Sequence, residues 1–507
     1  MVAGIGRRGF VGGAAALGAG LCLPLSTRAA QTIDFDEARH LLSRTSFGAT
    51  PAEIRALEAH DYAAAVDRLL ASVRREALTP APGWLDESPV ELRRRQQAAV
   101  AERKAGADGK PLQVVRPVEE QGRELRNWWV EEMLATDQPL TERMVLFWHN
   151  HFTSSLLKVR FPPALFRQNA LFRRQALGNF ATLLHEVARD PAMLIYLDGR
   201  GSVARQPNEN FARELLELFT LGEGHYSETD IKQAARAFTG WSVDPQSGLF
   251  VNHPQQHDDG DKTFMGQSGR FDGDQIVAIL LKHPRTAETI VEKLWREFVS
   301  LKPDAGEIKK LAASFRKDYE VRPLMRALLL SAPFRDPANR GALIKSPIDM
   351  IVGTVHVLGL PVPEKTQLVR MMQGLGQSPF DPPNVKGWPG GESWVSTYTL
   401  LLRQQFLRRI VEATSVAPME GDRRSARREQ LPSDDTAMQM AEPRPIEGRS
   451  LRSAGHEARL GPSLTGVDSA TLVRTLLPRA PIDFVEVPAS PGAAVAVAML
   501  DTAYQLK

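Results

Sequence analysis

The stretch Gln206-Pro207-Asn208-Glu209-Asn210-Phe211-Ala212-Arg213-Glu214-Leu215-Leu216-Glu217-Leu218-Phe219, followed by Gly222, is helical in pattern and carries the side chains best suited to acid–base chemistry. Counted from Glu209 at about 100° per residue, Arg213 falls at about 40°, Glu217 at about 80°, Asn210 at about 100° and Glu214 at about 140°. One arc thus gathers three carboxylates, a guanidinium and an amide, while Leu218, Phe211, Leu215, Phe219, Ala212 and Leu216 make the other arc apolar. Cleavage of a glycosidic bond needs a proton-donating carboxyl and a second carboxylate about 5–10 Å away. Glu209 and Glu214 stand too far apart around the helix to form that pair. The expected pair is therefore Glu209 or Glu214 with Asp381 or Asp259 from a loop. Arg213 would hold one carboxylate ionised while burial pushes the other toward the acid role. The same arc also suits a solvated face laced by Glu209–Arg213 and Arg213–Glu217 pairs, which the spacing alone favours.

Other segments suggest metal or sugar chemistry. In Phe147-Trp148-His149-Asn150-His151-Phe152 the two imidazoles point about 200° apart on a helix, so they share a metal only if the helix ends near Asn150. The bland alternative puts one histidine in the core. His257-Asp258-Asp259-Gly260-Asp261-Lys262-Thr263 lacks the alternating acids of a calcium loop and reads as a turn. If His149, His151, His257 and an acid such as Asp259 converged, they would hold a divalent, zinc-like or iron-like metal. The proline-stiffened loop from Phe380 to Trp394 presents Asp381, Lys386, Trp388 and Trp394. With Trp241 and Asn210, these side chains suit a sugar-binding cleft; alternatively, the indoles plug the loop into the helical body.

The elements that must position these groups are mainly helices. Thr50-Pro51-Ala52-Glu53 and Ser227-Glu228-Thr229-Asp230 have the capping-box pattern. Glu87 to Leu134 is dense in helix formers around a Gly/Asp/Pro loop at Ala105 to Pro111. Ile290, Leu294 and Phe298 recur at helical spacing. Sustained period-2 alternation is scarce, and Val251 to Asp274 reads as an ordered loop or short hairpin. The expectation is a mainly α fold: a multi-helix globular body with long ordered Gly/Pro/Trp loops and few short strands. Residues 30–414 form its helical core. The polar 415–465 stretch is a flexible linker or insertion. Residues 466–507 form a helical segment that docks back.

The N-terminus reads as an address. Arg7-Arg8 precedes an apolar Gly/Ala/Leu run that is too short to span a bilayer, then Thr27-Arg28-Ala29, so residues 1–29 are expected to be a twin-arginine signal peptide. The destination is the periplasm or cell envelope. The formal charge of +3 includes Arg7, Arg8 and Arg28, so the processed chain is neutral and nucleic acid is excluded as a main partner. The single cysteine, Cys22, lies within the signal. The 507 residues, 43% of them hydrophobic, suffice to bury a core without disulfides, and no stretch suits a transmembrane span.

Five segments occur in a fixed order: Trp148-His149-Asn150-His151-Phe152, the Asn208-Glu209-Asn210 to Glu217 helix, Ala237-Phe238-Thr239-Gly240-Trp241, His257 to Thr263, and Asp381 to Trp388. In that order, and with the ending Ala503-Tyr504-Gln505-Leu506-Lys507, the chain closely resembles the bacterial domain-of-unknown-function family 1800. The resemblance implies an exported protein, often encoded beside a member of family 1501, and carries no reaction with it. Three functions stay open. The first is a hydrolase acting on envelope or environmental glycan through Glu209, Glu214, Arg213 and Asp381. The second is a periplasmic metalloprotein, and the third a non-catalytic assembly partner of the co-encoded family 1501 protein.

Overall fold

Several helix starts among the described residues are specified by local side-chain bonds. Thr50 caps Pro51–Glu58 by accepting from the Glu53 amide, while Glu53 accepts from the Thr50 amide at 2.7 Å. Ser227 and Asp230 do the same for Glu228–Ala237, and Ser346 and Asp349 for Pro347–Leu358. Such reciprocal bonds satisfy amides that a helix end leaves without partners. The computed structural model describes residues 32–104, 116–361, 364–415 and 461–507. The signal peptide expected over 1–29, the loop expected from Ala105 to Pro111 and nearly all of the expected 415–465 linker lie outside the described residues. Among the described residues are 22 α-helices, 62% of those residues are helical, and strand is confined to two short hairpins, so the fold is mainly α.

The hairpins fall where helical periodicity lapses. Trp241–Val243 pairs antiparallel with Phe250–Asn252, and Lys262–Phe264 with Gln267–Gly269. The second turns through Met265 and Gly266, both at positive φ (49° and 75°), the geometry of a two-residue primed turn. Asp230 steadies Met265 there by accepting its amide at 2.8 Å.

One continuous apolar core runs from Ile33 to Tyr504. At its centre lies Pro139–His151, in which every residue from Leu140 to His149, and His151, is buried. A helix covered on all sides must pair its polar groups internally. Glu142 accepts from Arg173 at 2.8 Å on each oxygen and from Trp129 Nε1 at 2.8 Å. Arg143 donates to Asp349 and, at 2.6 Å, to Glu297. Residues 461–507 pack onto this body. Tyr504 Oη meets Thr354 at 2.8 Å, and Lys507 Nζ reaches Asp349 at 2.6 Å. No helix among the described residues is long and apolar enough to cross a membrane.

Candidate functional site

Three segments converge: the end of Pro139–His151, the polar arc that begins at Glu209, and the loop around Trp388. The first is joined to the third by Asn150. Its Oδ1 accepts from the Trp388 amide at 2.6 Å, and its Nδ2 donates to the Trp388 carbonyl at 3.5 Å. Gly387 makes this approach possible. It sits at φ +83°, and a Cβ there would lie 2.6 Å from the Asn150 carbonyl oxygen. The two histidines flanking Asn150 serve different neighbours. His149 is enclosed by aromatic rings, with Trp129 at 5.4 Å, Phe380 at 5.4 Å and Trp388 at 5.6 Å. Burial alone pushes its pKa down to about 3, so it is neutral. His151 accepts at Nδ1 from Lys293 Nζ at 2.9 Å. Burial first, then the Lys293 charge, holds His151 well below the ordinary imidazole range.

The Glu209–Glu214 helix continues as a wider π-helix, Leu215–Thr220. Such widened turns occur disproportionately at functional sites. Within it the Leu218 carbonyl accepts from Lys293 Nζ at 2.7 Å. Burial lowers the Lys293 pKa to about 8. Asn208 caps the helix start, accepting from the Asn210 amide at 2.7 Å and donating to the Asp198 carbonyl at 2.5 Å. Asn210 donates to the Leu197 carbonyl at 3.2 Å. Both amides thus clamp the left-handed turn at Asp198 (φ 61°) onto the helix.

On the polar arc, Arg213 holds Glu228 through two bonds of 2.7 and 2.9 Å and lies 3.7 Å from Glu209. Glu209 remains 43% exposed. Glu214 is half-buried, and its carboxyl pKa is raised, first by burial and then by the neighbouring Glu217. Glu217 accepts from Tyr226 Oη at 2.5 Å and faces Lys386 Nζ at 3.9 Å. Lys386 also bonds Glu223 at 2.8 Å. Asp190 is another carboxyl shifted upward, to about 7 by burial, but it caps Pro191–Tyr196 inside the core.

Between the end of Pro139–His151, the Lys293–Glu297 segment and the loop around Trp388 lies a cleft of about 290 Å³, lined among others by His151, Lys293, Arg296, Lys386, Trp388 and Trp394. Its inner end is the Arg143–Asp349–Lys507 cluster, whose Asp349 carboxyl is held far below the usual range despite burial, by Arg143 and Lys507. The model of the family described as "Protein of unknown function (DUF1800)" matches residues 40–504, nearly the whole chain. The chain belongs to the DUF1800 family. No curated protein and no solved structure matches it.

In this DUF1800 chain several expected partners are already engaged elsewhere. Asp381 does not reach the glutamate arc with a free oxygen. One oxygen accepts from Arg126 and the other from Ser155 at 3.1 Å and the Leu157 amide at 3.3 Å. A carboxylate saturated in this way anchors the loop to Leu156–Val159. Trp241 is 5% exposed, edged by Phe238 at 5.1 Å and Phe250 at 5.4 Å, with the Arg189 guanidinium over its ring at 5.5 Å. Its faces are therefore closed to a sugar. Trp388 and Trp394 are both buried plugs and cleft wall.

The four expected metal ligands do not converge. Among the described residues no three His, Cys, Asp or Glu side chains form a group able to hold a metal. His149 and His151 diverge as the helical spacing requires. His257 Nδ1 bonds the Thr239 carbonyl at 3.0 Å, and the exposed Asp259 contributes its backbone carbonyl to Arg270. Lys293, Arg296 and Glu297 were missed in the sequence because charged residues on an amphipathic helix look like any solvated face. Only the packing of that helix against His151 and Leu218 sets Lys293 apart.

Proposed function

We propose that this chain is an exported hydrolase-type enzyme acting on glycan of the envelope or the surroundings, with Glu214 as proton donor. The observation that carries this is a half-buried Glu214 carboxyl whose proton affinity is raised by burial and by the neighbouring Glu217, on an arc tied to the cleft residue Lys386 through Glu217 at 3.9 Å. A carboxylic acid whose proton is held more tightly than usual can protonate a leaving oxygen, and a second carboxylate in a different environment completes the machinery. Glu217 takes that second part, with Tyr226 and Lys386 fixing its position. Three residues apart on the helix, the two side chains have Cβ atoms about 5–6 Å from each other. Glu217 replaces Asp381 in the pairing expected from the sequence, since both oxygens of Asp381 are occupied. Export rests on the Arg7-Arg8 signal.

The test is hydrolysis by the processed protein across a saccharide panel, read as new reducing ends. Glu214→Gln is expected to lower turnover by about 100-fold or more, the usual weight of a general acid. Turnover should also fall on the alkaline side as Glu214 loses its proton. Full activity of Glu214→Gln would sink the assignment.

A further inference from the structure

The charges lining the 290 Å³ cleft do not balance. Arg143, Lys293, Arg296, Lys386 and Lys507 face it against two carboxylates, Glu297 and Asp349. Both carboxylates are committed: Asp349 to Arg143 and Lys507, Glu297 to Arg143 at 2.6 Å. Lys386 is matched at the rim by Glu223 and Glu217. Lys293 and Arg296 are different. Lys293 uses two of its three donors, on the neutral His151 ring and the Leu218 carbonyl, and no carboxylate pairs with it among the described residues. Arg296 donates from one nitrogen to the Leu301 carbonyl and presents the rest of its fork to solvent. A half-buried ammonium with no counter-charge favours an anion from outside, because the low local dielectric strengthens that contact.

The wall beside these cations is aromatic. Trp388 and Trp394 line it, and Trp388 Nε1 is buried with no acceptor among the described residues. Cations next to indole rings in a cleft of this volume suit a ring that carries an acidic substituent. Resting on the glycan reading above, we infer that the cleft is the binding subsite for an anionic saccharide, a uronate or a sulfate ester. Lys293 and Arg296 receive the anionic group, and the ring lies along the part of the cleft wall that Trp388 and Trp394 line. Lys386 at the cleft rim reaches Glu217 at 3.9 Å and so links the subsite to the proposed acid–base pair.

The experiment is calorimetric titration of the Glu214→Gln protein, which retains the cleft and whose turnover is expected to be about 100-fold or more lower, with oligogalacturonide, dextran sulfate and neutral dextran. At least one acidic probe is expected to bind tenfold or more tighter than dextran, and which one does so names the anion. Its affinity should fall about tenfold in Lys293→Met and several-fold in Arg296→Gln, each with an unchanged far-ultraviolet spectrum, and should weaken with salt. Arg296 is exposed, so its variant tests the site even if Lys293→Met fails to fold. Equal binding of acidic and neutral probes, or unchanged affinity in Arg296→Gln and a folded Lys293→Met, overturns the inference. Acidic binding with no hydrolysis by the parent protein upholds the subsite and rejects the enzyme.

Discussion

Replacing Asp349 by asparagine should be among the costliest single substitutions in this protein. Its side chain is 3% exposed and is the shared counter-ion of Arg143 (1% exposed) and Lys507 (7% exposed). One oxygen accepts from Arg143, the other from Lys507 Nζ at 2.6 Å and the Ser346 amide at 2.9 Å. Asparagine preserves shape and the helix cap but leaves two buried cations to share Glu297, which is 34% exposed and 3.9 Å from Lys507. Removing one partner of a buried ion pair costs about 3–5 kcal/mol, because the charge left behind stays desolvated. With a urea slope of about 3 kcal/mol per molar, the unfolding midpoint should drop by roughly 1–1.7 M. Glu297→Gln, at the solvent edge of the cluster, should cost about 1 kcal/mol or less. The double variant Asp349→Asn/Lys507→Met should be less damaged than the sum of its singles, by about 1 kcal/mol or more.

The pH dependence has a fixed sign. The folded carboxyl lies below its ordinary value near 3.8, so its contribution is complete above that pH and is lost as pH falls further. The gap between parent and Asp349→Asn should therefore stay constant from about pH 7 to 5 and narrow below about pH 4. A loss under about 1 kcal/mol at pH 7, or one matched by Glu297→Gln, would refute the counter-ion argument.

Three further outcomes are expected. His149→Phe should retain the fold, since aromatic rings already surround the site. The folded imidazole, held near 3, resists protonation while the unfolded one titrates near 6.5, so the parent loses stability between those values and the variant should lose less; urea midpoints at pH 7 and 5 read this out. Gly387→Ala forces a side chain into positive φ against the Asn150 carbonyl, costing about 1–3 kcal/mol by thermal melting and weakening acidic-saccharide binding. Asp381→Asn, which loses its partly buried bond to Arg126, should destabilise by about 1–3 kcal/mol yet leave the pH–rate profile unmoved, whereas Glu214→Gln alters it.

The features legible in the amino-acid order were those set within a few residues. The capping boxes at Thr50 and Ser227, the lapse of helical period at the two hairpins, and the burial of Phe211, Ala212, Leu215, Leu216 and Phe219 beneath a polar arc all follow from local bonding and periodicity. The separation of His149 from His151 was also implicit in their spacing. Pairing across the fold was not. Arg213 bonds Glu228 rather than Glu217, Asp381 is taken by Arg126 some 255 residues away, and Lys293 meets His151 across 142 residues. Periodicity states which face a side chain occupies, but a charge acquires its partner, and its proton affinity, only when packing brings distant helices together and removes the water between them. That is why His151, Lys386, Trp388 and Trp394 could be singled out from the chain, while the unpaired ammonium that distinguishes this cleft came from the tertiary structure alone.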